Sequence, residues 1–358
     1  MNKLSDEEIR FLEERDLCPR VSLLEEELNT QLLDERYLQT IPLIRKMIYK
    51  LLPVNFALIM EAWIIHRQYD AVLSYYERVG LPFAYLQKIF GSDTPHILLT
   101  TWLSSDAKVW FLKRVHEKLS KIVTWSSVQR DYAINEIGVS PEKIKLLKRG
   151  TDQKFWRPMK AETDMICSAG MEMRDYPTMI EALKSLDIPC HIATGKARGQ
   201  LFDTVKRLYE MDDIPRHITV GSKSYLQMRE MYARSRFVVV PLLETDTDNG
   251  LTVILEAMAM GKAVICSEVE GQVDVIEDGV TGVYVPQGDA KALRKAILDL
   301  WNNPEKAEKM GKAAREHIEK VHNLEQFVDG IKAEITKKTN GVRETVGSLG
   351  IEKASVEV

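Results

Sequence analysis

The sequence has 358 residues, of which 45% are hydrophobic and 28% are charged. This composition excludes a disordered chain, and the length favours two domains of about 150–180 residues. No apolar run reaches the ~18 residues of a membrane-spanning helix, and the acidic start lacks the apolar segment of a secretory signal. The four cysteines form no CxxC pair, which excludes a zinc ribbon or a disulfide scaffold and favours a reducing cytoplasm.

Charge is distributed unevenly along the chain. Residues 1–160 carry 24 Lys and Arg against 21 Asp and Glu, whereas residues 161–358 carry 25 against 32. A basic half and an acidic half indicate two domains, with an anionic partner on the first. The alternative interpretation is an ordinary solvated helix surface. The net charge of -4 and the absence of a recognised module argue against nucleic-acid binding.

The first half of the chain alternates between helical and extended patterns. A helix is predicted to begin at Ser5, with Glu8 completing a capping box, and residues 20–27 fit either a short strand or a helix start. The apolar helical segment 43–66 is broken at Pro53. Strands are then predicted at 69–76, 96–102, 121–127 and 142–150, and helices at 81–90, 109–120 and 127–139. This alternation is typical of a parallel sheet built from βαβ units.

Residues 155–164 interrupt the periodicity and are predicted to form a linker. The alternation then restarts, with strands at 164–170, 189–195, 236–242 and 262–268 and helices at 177–186, 225–235, 251–261, 289–303 and 304–320. The last ~25 residues are polar and fit either a docking helix or a disordered tail. We therefore expect a first domain at 1–158, a second at 159–330 and a tail at 331–358.

The strongest functional pattern lies in residues 236–282. A buried strand is followed by an acidic loop and by a helix that begins after Gly250. The first turn of a helix offers unpaired N–H groups that suit a phosphate, and glycine allows a ligand to approach the backbone. Glu256 could accept hydrogen bonds from two vicinal hydroxyls of a ribose, and Asp248 could meet a sugar hydroxyl. In the alternative interpretation, Asp248 and Asn249 are helix caps and Glu256 is a surface residue.

This segment resembles the C-terminal domain of retaining glycosyltransferases of family 4, among the group 1 glycosyl transferases. In that family an acidic residue is followed after seven others by Glu, within a signature that continues into a GxxxVIxDGxTG stretch. Here the two acids are Asp248 and Glu256, followed by EAMAMGKAVI and GQVDVIEDGVTG. Residues 126–158 are also similar to the family's crossover between domains, so the resemblance covers about residues 69–330.

The resemblance implies the α/β fold called GT-B, in which two Rossmann-like domains have parallel sheets facing a central cleft. It implies transfer of a sugar, with retained anomeric configuration, from a nucleotide-diphosphate donor based on UDP or GDP. The acceptor would be lipid-linked, a saccharide or a small molecule, and neither a metal nor another cofactor is expected. By position, Asp248 would contact the transferred sugar and Glu256 the ribose. Backbone N–H groups would hold the diphosphate, namely those of Asn249, Gly250, Leu251 and Thr252.

The cations that neutralise the diphosphate depart from the family pattern. Members usually open the second domain with Gly-Arg, whereas here Met171 takes the position of the arginine. We expect Arg174 to replace it, because a guanidinium stays charged and matches diphosphate oxygens. The alternative is a surface pair of Arg174 with Glu172 or Asp175. Lys196 is the second candidate cation, and a solvated loop lysine is the alternative.

The first domain also departs from the family, which has a histidine near the donor sugar at the end of one strand. Thr101 or Trp102 occupies that place, and His96 lies at the strand's other end, so no catalytic histidine is assigned. Trp102 could form a sugar platform or belong to the core. Glu77 follows a strand, where it could touch the acceptor or the donor sugar or cap a helix.

Two further features bear on partners. The first glycine of the chain is Gly80, so the family's first strand and glycine-rich turn are either missing or replaced by a short variant. Segments 43–52 and 108–121 combine apolar residues with Lys and Arg, which fits peripheral association with an anionic membrane or, alternatively, a face that covers the sheet. We expect the enzyme in the cytoplasm, with the inner face of the membrane as an option.

Other functions remain open from the sequence. A catalytically silent, transferase-like binding subunit would explain the missing histidine, the missing Gly-Arg pair and the missing glycine-rich turn. A sugar-nucleotide epimerase would need acid and base residues across the cleft, and the scarcity of suitable histidines argues against it.

Overall fold

The structure is a computed structural model that describes residues 5–195, 203–339 and 345–349. In chain order, its helices α1 to α14 are Asp6–Glu14, Leu23–Leu28, Leu43–Tyr49, Val54–Ile65, Glu77–Phe90, Asp106–Val115, Ser127–Tyr132, Tyr176–Leu183, Asp203–Tyr209, Tyr225–Arg234, Leu251–Ala259, Ala290–Asn302, Pro304–Val321 and Leu324–Thr339. Its strands β1 to β12 are Thr30–Leu33, Ala71–Ser74, His96–Thr100, Lys121–Thr124, Ile144–Leu146, Met165–Ala169, Cys190–Ala193, Ile218–Gly221, Ser235–Val240, Ala263–Glu268, Gly282–Pro286 and Thr345–Leu349. Among these residues, no helix is long and apolar enough to cross a bilayer.

The strands form two parallel sheets. One has the order β1-β12-β2-β3-β4-β5, and the other has the order β11-β10-β9-β6-β7-β8. Central strands such as β2 and β3 are buried along their whole length, as parallel strands covered by helices on both faces require. The predicted α/β class with two Rossmann-like sheets is therefore confirmed.

The chain divides into two compact units. Within the described residues, one unit contains 149–326 together with 5–21, and the other contains 22–148 together with the residues from 327 onward. They are called here the 149–326 unit and the 22–148 unit. This division differs from the predicted boundaries at 158 and 330. The first described residues, 5–21, group with the second half of the sequence, and the described residues from 327 onward group with the first half.

Ion pairs explain why the first residues join the 149–326 unit. The Asp16 carboxylate lies 2.6 Å from a guanidinium nitrogen of Arg157 and 2.9 Å from one of Arg229. Arg20 likewise donates to the buried carboxylate of Asp152 at 2.6 Å. These side chains hold α1 and the segment after it against the unit that contains the second sheet.

The predicted linker does not begin at residue 155, because the first two residues of the segment 155–164 belong to a core. Phe155 and Trp156 are buried, and the ring of Trp156 lies 5.7 Å from that of Tyr232 and 6.3 Å from that of Tyr225. Two large aromatic side chains in a core are incompatible with a solvated linker. These two residues pack against α10, whereas residues 157–164 are irregular and almost all exposed, as expected of a linker.

Candidate functional site

Two neighbouring strands of the 149–326 unit, β6 and β9, end at the same edge of their sheet. The chain order of the sheet reverses between them, since β7 and β8 lie beyond β6 while β10 and β11 lie beyond β9. In open parallel sheets, a crevice forms at such a reversal and binds ligands. The loop 241–250, which connects β9 to α11, and the segment 170–175, which follows β6, line this edge.

The backbone of these two segments is paired. The Leu243 N–H donates to the Met173 carbonyl at 3.0 Å, and the Asp175 N–H donates to the Pro241 carbonyl at 3.1 Å. Arg174 therefore lies directly beside Leu242 at the start of the loop. This pairing brings together two parts of the sequence that are predicted to bind the same ligand.

Helix α11 begins at the edge of the sheet with Gly250 as its N-cap residue. Gly250 has a φ of +93°, and a Cβ there would lie 2.9 Å from Cγ1 of Val240. Only glycine fits this left-handed conformation so close to the strand without strain. The Leu251 N–H donates to the Asp248 carbonyl at 3.1 Å, so this predicted diphosphate donor is engaged in the turn, while Thr252 is exposed.

The loop before α11 is braced by polar side chains. The Asn249 amide donates to the hydroxyls of Thr245 and Thr247, so Asn249 supports the loop and does not cap the helix. The buried side chain of Gln272 donates to the backbone carbonyls of Asp248 at 3.3 Å and Asn249 at 3.0 Å. Gln272 is absent from the predicted site, although it is the second residue of the stretch GQVDVIEDG that carries part of the family resemblance.

Arg174 is buried at the carboxyl end of β6. Its Nε donates to the Ala169 carbonyl at 2.9 Å and its Nη1 to the Glu172 carbonyl at 2.7 Å. Its guanidinium lies over Gly170, where a Cβ would come within 2.2 Å of Nη2. Within the described parts of the chain, no carboxylate forms an ion pair with this guanidinium, and Asp175 instead caps α8. The alternative of a surface pair with Glu172 or Asp175 is therefore not what the structure shows.

A buried cation without an anionic partner is energetically unfavourable unless something compensates it. The two carbonyl oxygens that accept from Arg174 supply partial compensation and fix the orientation of the guanidinium. An anionic ligand at the carboxyl ends of β6 and β9 would complete it. The arrangement thus suits a phosphate or diphosphate group.

Glu256 lies on α11 and is held by a tyrosine. The Tyr232 hydroxyl donates to Oε2 of Glu256 at 3.0 Å. Burial raises the pKa of Glu256 to about 8, although this hydrogen bond acts in the opposite direction. Burial also raises the pKa of Tyr232, Glu256 raises it further, and the charge of Arg174 lowers it. The cation, the tyrosine and the carboxyl group therefore share one electrostatic environment, which excludes the surface alternative for Glu256.

The residues predicted in the 22–148 unit form a separate arrangement. Oε1 of Glu77 accepts from the backbone N–H groups of Thr101 at 2.8 Å and Trp102 at 3.1 Å, as well as from the hydroxyl of Thr100. Oε2 lies 3.5 Å from Nζ of Lys108. Glu77 therefore anchors the loop after β3 and is not the N-cap of α5, which is Tyr76. Its contact with the acceptor or the donor sugar stays a prediction.

Trp102 is 40% exposed, and Nζ of Lys108 lies 4.5 Å from the centroid of its ring. Its exposure excludes the alternative of a core tryptophan, and the sugar platform stays a prediction. His96 is fully buried at the first position of β3, as expected, and bonds Ser74 and Gln87. Lys196 lies outside the described residues.

Comparisons with known proteins agree with this geometry. Residues 167–317 match the family described as "Glycosyl transferases group 1". An uncharacterized glycosyltransferase of Methanocaldococcus jannaschii is 25% identical over 168 residues, which are 47% of this chain and 46% of that protein. A D-inositol 3-phosphate glycosyltransferase of Kribbella flavida is 27% identical over 183 residues, which are 51% of this chain and 41% of that protein. The chain thus spans less than half the length of these two relatives.

Solved structures share the fold. Sucrose-phosphate synthase from Thermosynechococcus elongatus has a TM-score of 0.69 at 19% identity, covering 79% of this chain and 78% of that one. The Anabaena protein HepE, solved in complex with UDP-glucose, has a TM-score of 0.69 at 15% identity, covering 91% of this chain and 95% of that one. The predicted GT-B fold and the resemblance to group 1 glycosyltransferases are therefore confirmed.

Proposed function

We propose that the protein is a retaining glycosyltransferase that uses a nucleotide-diphosphate sugar and no metal ion. The observation that carries the proposal is the buried guanidinium of Arg174, which lies at the edge where α11 begins and has no ion-pair partner among the described residues. A guanidinium and a helix N-terminus are complementary to the two phosphates of a donor. Glu256 holds the ribose, and Asp248 contacts the transferred sugar.

The chemistry follows from where negative charge develops. The acceptor hydroxyl oxygen bonds to the anomeric carbon while the bond from that carbon to the β-phosphate oxygen breaks. The electron pair goes to the leaving diphosphate, and the hydroxyl proton moves to a diphosphate oxygen on the same face of the sugar. Arg174 and the first turn of α11 stabilise the charge on the leaving group, which is the electrostatic contribution that lowers such a barrier.

The donor is proposed to carry UDP, because the HepE neighbour was solved with UDP-glucose. GDP is the second candidate. A lipid-linked acceptor is favoured over a saccharide or a small molecule, because a helical segment of the 22–148 unit exposes apolar side chains. Trp102, half-exposed beside Lys108, is proposed to contact the acceptor.

Binding measurements test the diphosphate assignment directly. Thermal shift and calorimetry with UDP-, GDP- and ADP-sugars identify the nucleotide, and the same measurements with the nucleoside and its diphosphate isolate the phosphate contribution. We expect Arg174→Met to weaken binding of the diphosphate by about 10- to 100-fold while binding of the nucleoside changes little. Arg234→Met is the matched control, because Arg234 lies in the same unit and pairs with Asp164 on the surface.

Product analysis tests the reaction. Asp248→Ala should abolish transfer to an acceptor while donor binding persists, and Glu256→Ala should weaken donor binding. If neither variant changes binding or turnover, the site assignment is wrong. Nucleotide binding with no turnover on any acceptor would favour the silent binding subunit, and a product with inverted configuration would contradict the retaining mechanism.

A further inference from the structure

Helix α3 of the 22–148 unit is amphipathic, but its apolar side faces solvent and its polar side faces the protein. None of its residues is buried, and its apolar side chains point to solvent. Ile44 is 75% exposed, and Leu51, just after the helix, is 86% exposed. A surface helix of a globular protein normally turns its apolar stripe to the core and its polar residues outward. The side chains that α3 turns inward are instead polar.

An ion pair and a hydrogen bond fasten α3 from its inner side. Arg45 Nη1 donates to Oε1 of the buried Glu61 at 2.7 Å, and the Tyr49 hydroxyl donates to Oε2 of the same residue at 3.1 Å. Burial and, to a smaller extent, the neighbouring charge of Glu61 raise the pKa of Tyr49 to about 12. The helix is therefore fixed in place with its apolar side outward, and that orientation is not a consequence of loose packing.

Helix α4 extends the same surface. Apart from Asn55 and Glu61 it is apolar on all sides: Leu58, Ile59 and Ile65 pack into the core, while Phe56 and Met60 remain exposed. A helix that is apolar all round is expected to be buried in a protein core or in lipid. The exposed apolar surface formed by the two helices and their turn is called here the apolar face. Its most exposed members are Leu43, Ile44, Met47, Ile48, Leu51 and Phe56.

Arg45 is paired with the buried Glu61, and the other charged side chains of α3 and the turn after it are the basic Lys46 and Lys50. Residues 41–60 contain three basic side chains and no acidic one, and Lys50 is exposed next to Leu51. Protruding apolar groups with flanking lysines match the interface of a bilayer with anionic headgroups.

We infer that the apolar face inserts into the surface of an anionic lipid bilayer. Helix α6, which lies in the other segment with the same composition, does not take part in this, because Leu112 and Val115 are buried in the core of the 22–148 unit. The inference shares this segment with the proposed lipid-linked acceptor, but it does not depend on the diphosphate site in the 149–326 unit. Vesicle binding and sugar transfer can therefore succeed or fail independently.

Sedimentation of the full chain with vesicles tests the inference. The protein should sediment with phosphatidylcholine vesicles that contain phosphatidylglycerol, less with phosphatidylcholine alone, and less at high salt. The double variant Ile44→Asp/Leu51→Asp should lower the partition coefficient by about tenfold or more, since each side chain loses its apolar contact. Val280→Asp is the control, because Val280 is an exposed apolar residue of the 149–326 unit. Unchanged thermal unfolding verifies that both variants fold.

A fluorescent label locates the insertion. The four native cysteines are buried, so Leu51→Cys and, as a control, Val280→Cys can be labelled selectively with an environment-sensitive dye. Anionic vesicles should shift the emission of the label at 51 to the blue and leave that at 280 unchanged. The inference is overturned by any of three results: the wild type does not bind vesicles, the double variant binds them as well as the wild type, or the emission of the label at 51 does not shift. Self-association that the double variant abolishes, without vesicle binding, would overturn it too and identify a second copy as the occupant.

Discussion

Replacing Glu256 by glutamine keeps the shape of the side chain and removes its titration. The pKa of Glu256 is about 8 in the folded protein and 4.5 as the ordinary value for the unfolded chain. Between these values the folded protein holds a proton that the unfolded chain releases, so the free energy of unfolding falls as the pH rises through this window. The stabilisation is fully present below pH 4.5 and is lost above about pH 8.

The two pKa values set the size of the effect. At about 1.4 kcal/mol per pKa unit, the difference corresponds to at most about 5 kcal/mol. Urea unfolding at a series of pH values between about 5 and 9 gives this free energy for the wild type and for Glu256→Gln. The wild type should lose stability relative to the variant as the pH rises, and Glu268→Gln, an exposed carboxyl group at the end of β10, controls for the loss of a charge. A difference between wild type and Glu256→Gln that does not vary with pH would refute the raised pKa of Glu256.

Three further substitutions probe the turn at Gly250, the loop held by Glu77 and the core around Trp156. Gly250→Ala should destabilise the fold by about 1–3 kcal/mol in urea unfolding and weaken nucleotide binding, because a Cβ would lie 2.9 Å from Cγ1 of Val240 at a φ of +93°; unchanged values would contradict the tight turn. Glu77→Gln should destabilise the fold by about 1–3 kcal/mol, since Lys108 loses its ionic partner, without changing nucleotide affinity measured by calorimetry. Trp156→Ala should destabilise it by about 3–5 kcal/mol, whereas a residue in a linker would change little.

Strongly apolar elements could be predicted from the sequence, and short or half-exposed ones could not. The capping box at Ser5, the break at Pro53 and the buried strand β9 all appear as expected. The strand Ile218–Gly221 has only one buried residue, so it has no apolar run that could mark it. The segment 20–27, which fits either a strand or a helix start, enters the short helix Leu23–Leu28.

Helix α5 shows how tertiary packing overrides local signals. The sequence Gly80-Leu81-Pro82 indicates a break and predicts a helix that begins at residue 81, but the helix starts at Glu77 and contains Pro82. A Cβ on Gly80 would lie 2.6 Å from Cδ1 of Leu98 and 2.7 Å from Cβ of Ser74. Glycine here permits close approach of the helix to the sheet. From the sequence alone, a glycine that ends a helix cannot be distinguished from a glycine that allows such a contact.

Site residues that are close together in the sequence could be predicted, whereas those that reach the site through tertiary contacts could not. Asp248, Gly250 and Glu256 could be placed on one loop and helix by their spacing alone. Tyr232 and Gln272, which hold Glu256 and the loop, come from other elements and had no local signal. A hydrogen-bond partner that is far away in the sequence becomes visible only when the fold brings the two side chains together.

The backbone before Arg174 determines where its guanidinium lies. The segment after β6 contains Gly170 at a φ of +111° and Met173 at +53°, so the backbone turns twice in the left-handed region before Arg174. These turns direct the guanidinium back over Gly170, to the carboxyl end of β6. A non-glycine residue at positive φ is strained, and such strain persists where the surrounding structure enforces it. The pairing of Met173 with Leu243 provides that constraint, and it connects the position of the cation to the loop that leads into α11.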